Sequence, residues 1–269
     1  MTDALLEELL SARRARTPFA LVTVAATAGS VPREAGAKML VYADGITSGT
    51  VGGGKFESLV IEATLARLGE KTPLLRTYSL REGEAESFGA ICGGEVTILI
   101  EPQNLNEAIF LIGAGHCAQA IAKLSAECGL FVTVVDERRE LTEALPANAF
   151  AVAQANPDEF IRNREWRSDE ALIIVSRNYE IDRDALAAAL EIQGVGYIGM
   201  IGSRRKVKRV FDQLKEGGIS DELLAQVYAP IGLDIGADAP AEIAISVLAE
   251  VLIVLRKRRG KHLRMDIHS

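Results

Sequence analysis

The apolar run Ala108 to Ile112 passes straight into Gly113-Ala114-Gly115-His116-Cys117-Ala118, and a helical pattern, His116 to Glu127, continues from it. A GxGxxA turn held between a strand and a helix admits few folds. Gly113 permits the tight turn, and Gly115 lets backbone approach a phosphate at the helix N-terminus. The next apolar run ends at Asp136, 21 residues after Gly115, where a carboxylate would accept hydrogen bonds from ribose hydroxyls. Arg138 and Arg139 beside it leave a 2′-phosphate open. The same turn also serves domains that keep it for packing while binding something else, and both readings stand. His116, in the first helical turn, either contacts an anion or caps the turn.

The rest of the second half repeats this alternation. Leu130 to Val135, Ala171 to Val175 and Gly196 to Met200 read as buried strands, with amphipathic helices at Asp182 to Glu191 and Ser203 to Glu216. A doubly wound parallel sheet is expected. A last helix opens at Asp238 and Pro240, is apolar on almost every side through Leu255, and closes on Arg256 to Arg259. Its one polar stripe, Glu242, Ser246 and Glu250, is left to face water, another subunit or the domain interface. The first half differs in texture: Ala20 to Val24, Ala37 to Tyr42 and Val96 to Ile100 are short alternating runs bounded by glycine clusters. One helix, Glu57 to Leu68, interrupts them and stops at Gly69. Arg81 to Glu86 reads as a loop. The seam between Glu101 and Glu107 divides the chain into residues 1–104, a smaller α+β domain with glycine-rich loops, and 105–269, a Rossmann-like α/β domain. A length of 269 residues suits two domains.

Composition excludes other classes. With 48% hydrophobic and 25% charged residues the chain should fold. A formal charge of −7 argues against general affinity for nucleic acid, and the local cluster Arg204, Arg205, Lys206, Lys208 and Arg209 reads as a solvated helix start or an anion contact. The longest apolar stretch, Ile243 to Leu255, is interrupted by Glu250 and falls short of the ~20 residues a bilayer span needs. Met1 to Arg16 reads as an amphipathic helix rather than a signal peptide, so a cytoplasmic protein without a membrane partner is expected. Cys92, Cys117 and Cys128 have neither zinc nor disulfide spacing. His116 and Cys117 point about 100° apart on a helix and do not share a metal. No metal site is expected, and Cys117 and Cys128 are expected in the core.

Two glycine loops of the first half invite a ligand: Gly29-Ser30-Val31-Pro32-Arg33 with Gly36, and Gly49-Thr50-Val51-Gly52-Gly53-Gly54. Such runs can turn successive amides toward one point and form an anion nest, to which Arg33 adds a fixed positive fork. Hairpin turns are the alternative, although three glycines exceed what a hairpin needs. Gly49 to Lys55 spells GxxxxGK, but Phe56 stands where a P-loop requires Ser or Thr for magnesium, and the run lies among hairpin strands rather than opening a βαβ helix. Cys92-Gly93-Gly94 follows Phe88-Gly89-Ala90. Its thiolate can meet a soft metal or sulfide ligand, or serve as a small buried hydrophobe.

These segments together resemble the XdhC/CoxI family, accessory factors for xanthine dehydrogenase and related molybdenum hydroxylases. The resemblance runs from Ala28 to Arg33, Gly49 to Gly54 with Glu57, Cys92 to Gly94 and Glu101-Pro102, through Gly113 to His116 and Val134 to Arg138, to Tyr197 to Lys206 and Pro230 to Ala237. It implies a cofactor handler rather than a catalyst, which binds molybdenum cofactor, shields it during sulfuration and loads it into a hydroxylase. No catalytic residue is assigned. The implied cofactor contacts are Gly29, Ser30, Arg33, Gly52, Gly53, Gly54, Glu57, Cys92, Gly93 and Gly94, with Gly113, Gly115, His116, Asp136 and Arg138 in the second domain. A molybdenum hydroxylase client, a cysteine desulfurase partner and a homodimer follow from the same resemblance. Molybdopterin carries a phosphate, a polar pterin edge and a sulfur-ligated metal, which suit glycine nests, Arg33 and Cys92. Two positions depart: Lys55 where some relatives have cysteine, and Arg177 where many have histidine. The rival reading is an NAD- or NADP-dependent oxidoreductase built on GxGxxA and Asp136, but no Tyr-xxx-Lys pair or proton relay is visible and His116, His262 and His268 are the only histidines. A nucleotidyl-transfer enzyme using the Gly49 loop is the third reading, and Phe56 counts against it. At this length the chain is not expected to be the hydroxylase itself, which needs iron–sulfur, flavin and molybdenum modules.

Overall fold

A computed structural model describes residues 2–70, 72–80, 93–103, 107–143 and 151–263. The chain divides into two units, Met1–Leu105 and Asn106–Ser269. The boundary placed at 104/105, the loop expected over Arg81 to Glu86, and Cys92 lie outside the described residues.

In the first unit the elements are α1 (Asp3–Arg14), β1 (Phe19–Ala28), β2 (Lys38–Tyr42), β3 (Thr47–Gly49), α2 (Gly54–Arg67), β4 (Leu74–Ser79) and β5 (Glu95–Gln103). The strands form an antiparallel sheet in the order β3-β2-β1-β5-β4. Alternation decides its two faces. Ala20, Val22, Val41, Ile98 and Ile100 bury against Phe56 and Val60 of α2, while Phe19 and Leu40 take Leu5 and Ala12 of α1 on the other side. Each such aliphatic side chain contributes roughly 1.5–3 kcal/mol when fully buried. Helix α2 starts at Gly54, earlier than the expected Glu57. Strands β3 and β4 carried no readable alternation: β3 has three residues, and in β4 only Tyr78 is buried while Leu75, Arg76 and Thr77 are exposed.

The second unit runs β6 (Ala108–Ile112), α3 (His116–Glu127), β7 (Phe131–Val135), α4 (Arg139–Glu143), β8 (Ala151–Ala153), α5 (Pro157–Arg162), β9 (Glu170–Ile174), α6 (Tyr179–Glu191), β10 (Tyr197–Met200), α7 (Arg204–Glu216), α8 (Asp221–Leu224) and α9 (Pro240–Leu255). Every strand pairing is parallel, in the order β10-β9-β6-β7-β8. Ile109, Leu111, Val134 and Ile173 face α3 and α9, whereas Phe110, Ile112, Leu172 and Ile174 face Ile161, Leu186 and Val210 of α5, α6 and α7. This is the doubly wound sheet that the alternating sequence implies. The chain steps outward from β6 to β8 and then returns to β9, so a switch point opens between the carboxyl ends of β6 and β9.

One expectation fails. Cys117 is half-buried, but Cys128 is exposed, because α3 stops at Glu127 and the chain turns through Gly129, with the Leu130 amide closing on the Ser125 carbonyl at 3.0 Å. The stripe on α9 is exposed to water at Glu242 and turned inward at Ser246 and Glu250. It holds the irregular segment between Tyr228 and Ala239 of its own unit. Glu250 Oε1 accepts from the Gly232 amide at 2.9 Å and the Tyr197 hydroxyl at 2.5 Å, and Ser246 Oγ donates to the Leu233 carbonyl at 2.6 Å. Glu242 accepts from the amides of Asp238 and Ala239. Burial and then the Glu250 carboxylate push the Tyr197 hydroxyl pKa well up, so it stays a donor. A segment without ladder partners needs such acceptors.

Among the described residues no helix is long and apolar enough to cross a membrane. Glu250→Ala leaves Gly232 without its acceptor. Amide exchange over residues 228–236 should accelerate by about tenfold or more while β6 keeps its protection, as hydrogen exchange with mass spectrometry would read.

Candidate functional site

Three glycine turns of the first unit meet. A Cβ on Gly29 would lie 3.0 Å from Gly94 Cα, and one on Gly94 would lie 2.5 Å from the carbonyls of both Ala28 and Ser30. Pro32 packs on Gly52, where a Cβ would approach Pro32 Cγ to 2.7 Å. Gly29 and Ser30 therefore meet Gly93 and Gly94 through backbone contact, and Gly52 meets the Pro32 ring, at distances that larger residues would prevent.

The amides of the glycine run do turn toward one point, and the anion there is the protein's own. Glu57 Oε2 accepts from the Val51 amide at 3.0 Å, the Gly53 amide at 3.1 Å and the Thr50 hydroxyl, while the Gly52 amide donates to Thr50 Oγ1 at 3.2 Å. Gly53 is the N-cap of α2 and has no side chain, and Glu57 in the first turn reaches back to accept from the Gly53 amide and from Val51 ahead of the helix. Burial raises the Glu57 pKa, but the Thr50 hydroxyl and the loop amides outweigh it and hold the carboxyl below the usual range. The run opens a helix, contrary to the expectation that it lies only among hairpin strands. The preceding β3 is nonetheless antiparallel, and these amides are committed to Glu57 and Thr50.

Beside this loop lies a cleft of about 420 Å³ whose lining includes Glu8, Arg33, Lys38, Ser48, Gly49 and Thr50. Glu8 accepts from the Tyr42 hydroxyl at 2.9 Å and the Ser48 hydroxyl at 2.5 Å. Burial, then Glu8, pushes the Tyr42 pKa up to about 12. Lys38 Nζ donates to Thr23 Oγ1 at 2.9 Å. Arg33 is exposed and has no partner among the described residues. Of the residues expected in a first-domain site, Arg33 lines the cleft, whereas Gly29, Ser30, Gly52, Gly53, Gly54, Glu57, Gly93 and Gly94 do not.

In the second unit the switch point holds a crevice of about 200 Å³ lined by Gly115, His116, Arg138, Ser176 and Arg177 among others. Gly113 sits beneath it, so close to β9 that a Cβ would lie 2.9 Å from the Val175 carbonyl. Asp136 is buried behind the crevice. Its Oδ2 accepts from the Ala114 amide at 2.9 Å and Arg138 Nη2 at 2.7 Å, and its Oδ1 from the Arg138 amide at 3.0 Å and Arg138 Nε at 2.9 Å. A carboxylate has about four acceptor positions, and these bonds take them all. Burial raises the Asp136 pKa, but the Arg138 guanidinium and the two amides prevail and lower it.

Arg177 Nη2 lies 3.4 Å from His116 Nδ1, joining the loop after β9 to the first turn of α3. That loop is fixed from below. Lys206 Nζ donates to the Ser176 carbonyl at 3.1 Å and pairs with the buried Asp182 carboxylate, to which Ser176 Oγ also donates at 2.6 Å. Burial pushes the Asp182 pKa up against the opposing pull of Lys206 and Ser176. The basic cluster at the start of α7 is thus divided: Lys206 turns inward, Arg209 stacks over the Tyr179 ring at 4.1 Å, and Lys208 pairs with Asp212 at 2.6 Å. Sequence reasoning missed Ser176 and Asp182. Among the described residues no group of three His, Cys, Asp or Glu side chains is placed to hold a metal ion.

Residues 12–79 match the XdhC and CoxI family, and residues 109–251 match the XdhC Rossmann domain; the chain belongs to this family. The uncharacterized protein YqeB of Escherichia coli (strain K12) is 38% identical over 245 residues, which are 90% of this chain and 44% of that protein. A protein of Bacillus subtilis (strain 168) named as a probable xanthine dehydrogenase subunit is 32% identical over 160 residues, 59% of this chain and 45% of its own. The molybdenum cofactor insertion chaperone PaoD of Escherichia coli (strain K12) is 27% identical over 289 residues, 87% of this chain and 82% of that protein. The chain therefore spans less than half the length of the first two.

Glu57→Gln should destabilise the first unit by ~1–2 kcal/mol at neutral pH, the scale of a lost helix cap. Because folding lowers the Glu57 pKa, its contribution is present above the ordinary carboxylate range and is lost as pH falls through the depressed value. Urea denaturation at neutral and acidic pH should find the variant's deficit shrinking with acidification.

Proposed function

We propose that this chain binds molybdenum cofactor as cargo, shields it, and delivers it to a xanthine dehydrogenase-type molybdenum hydroxylase. The observation that carries the reading is the Arg33 guanidinium, unpartnered among the described residues, at the cleft beside the converging glycine turns. A planar fork of donors suits a phosphomonoester bidentately, and Lys38 across the same cleft adds a second positive charge. The polar wall of Ser48, Thr50 and Glu8 offers donors and acceptors to a pterin edge. Cys92, directly before Gly93 in sequence, supplies the soft ligand for the metal.

Family membership and the likeness to a protein named as a molybdenum cofactor insertion chaperone support this role. In this reading the glycine turns serve by shaping the cleft, since the amides of Val51, Gly52 and Gly53 are already engaged. A hydroxylase client, a cysteine desulfurase and a homodimeric state belong to the same proposal. The nicotinamide reading draws no support from the second unit, where Arg138 fills the acceptors that a ribose would use.

Calorimetric titration with molybdenum cofactor, NAD and NADP tests the reading. Wild-type protein should bind the cofactor, and Arg33→Ala should weaken it by about ten- to a hundredfold, the ~1.5–3 kcal/mol of a charged hydrogen bond. Cys92→Ala should also bind more weakly. Unchanged affinity in both variants would refute the site.

A further inference from the structure

We infer that the crevice of the second unit is a receptor for a single phosphomonoester group, gripped by His116 and Arg177, and that the Asp136–Arg138 pair closes it to dinucleotides. The cations around the crevice differ in what neutralises them. Arg138 is paired with Asp136, and Lys206 with Asp182, but Arg177 meets only the His116 ring among the described residues. No carboxylate among the described residues lines the crevice. An uncompensated guanidinium on one wall therefore faces an imidazole on the other, in a chain whose formal charge is −7.

The arrangement is built rather than incidental. The Ser176 carbonyl and hydroxyl are anchored to Lys206 and Asp182, so the residue next to Arg177 is fixed. The Arg138 guanidinium, which lines the crevice, commits Nε and Nη2 to Asp136 and keeps its Nη1 donors outside that pair. Donors thus converge from the loop after β9, the start of α3 and the end of β7, the fork geometry that tetrahedral phosphate oxygens accept.

Occupancy closes the crevice to a dinucleotide. The crevice, about 200 Å³, has room for a phosphate with a short attachment. A ribose would need acceptor positions on Asp136, and all of them are taken. Arg138 is a positioning residue that keeps them so.

The inference goes beyond the cofactor reading, and its signals belong to the second unit, so either can fail alone. Full-length ¹⁵N-labelled protein would be titrated with inorganic phosphate, phenyl phosphate and NAD while the amide shifts of Gly115, His116 and Arg177 are followed. Inorganic phosphate and phenyl phosphate should both give saturable shifts, whereas NAD should give none. Arg177→Gln should weaken both phosphates about tenfold or more, Arg33→Ala should leave them unchanged, and Arg138→Ala should admit NAD. Inorganic phosphate binding without phenyl phosphate would overturn the monoester assignment in favour of the free ion. Equal affinity in Arg177→Gln would overturn the site, and an Arg138→Ala variant that still excludes NAD would overturn the closure.

Discussion

Carboxylates that accept from backbone amides hold the irregular turns of this protein. Glu57 accepts from the amides of Val51 and Gly53, Asp136 from those of Ala114 and Arg138, Glu250 from Gly232, and Glu242 from Asp238 and Ala239. Each turn exposes amides that neither a helix nor a strand can satisfy, and an amide buried without a partner costs ~1–3 kcal/mol. The carboxylates remove that cost. Without Glu57 and Asp136 the amides they accept from would have no fixed direction.

The same device sets what is left for a ligand. Where a glycine run usually offers amides to a phosphate, here at Val51 and Gly53 it offers them to Glu57. Where an acid at the end of the second Rossmann strand usually offers itself to a ribose, Asp136 is filled by Arg138. The arginines that line the cleft and the crevice outside these internal pairs are Arg33 in one unit and Arg177 in the other, and the proposed anion contacts rest on them. Both are arginines, whose charge persists at any physiological pH and whose donors suit phosphate oxygens.

Much of the architecture was legible because it rests on periodicity. Ala108 to Ile112 is buried throughout, and the helical spacing of Ala118, Ile121 and Ala122 lays α3 on the sheet. The short elements were not: β3, β8, α5 and α8 have three to six residues, too few for a period to show. Cys128 misled because it continues the apolar spacing of α3 for one residue after the helix has ended.

The sequence by itself determined that the second half is a doubly wound sheet with a glycine turn at its switch point, that the first half is a separate α+β unit, and which residues are glycines at the turns. Only the tertiary structure decided where the amides of those turns point and which side chains meet them. Glu250 finds Gly232 across 18 residues, Lys206 finds Ser176 across 30, and Arg177 finds His116 across 61. Such pairings depend on how strands and helices stack, and no local pattern encodes them. Residue type announced that Glu57 and Asp136 were anionic; the fold decided that their partners would be the protein's own donors.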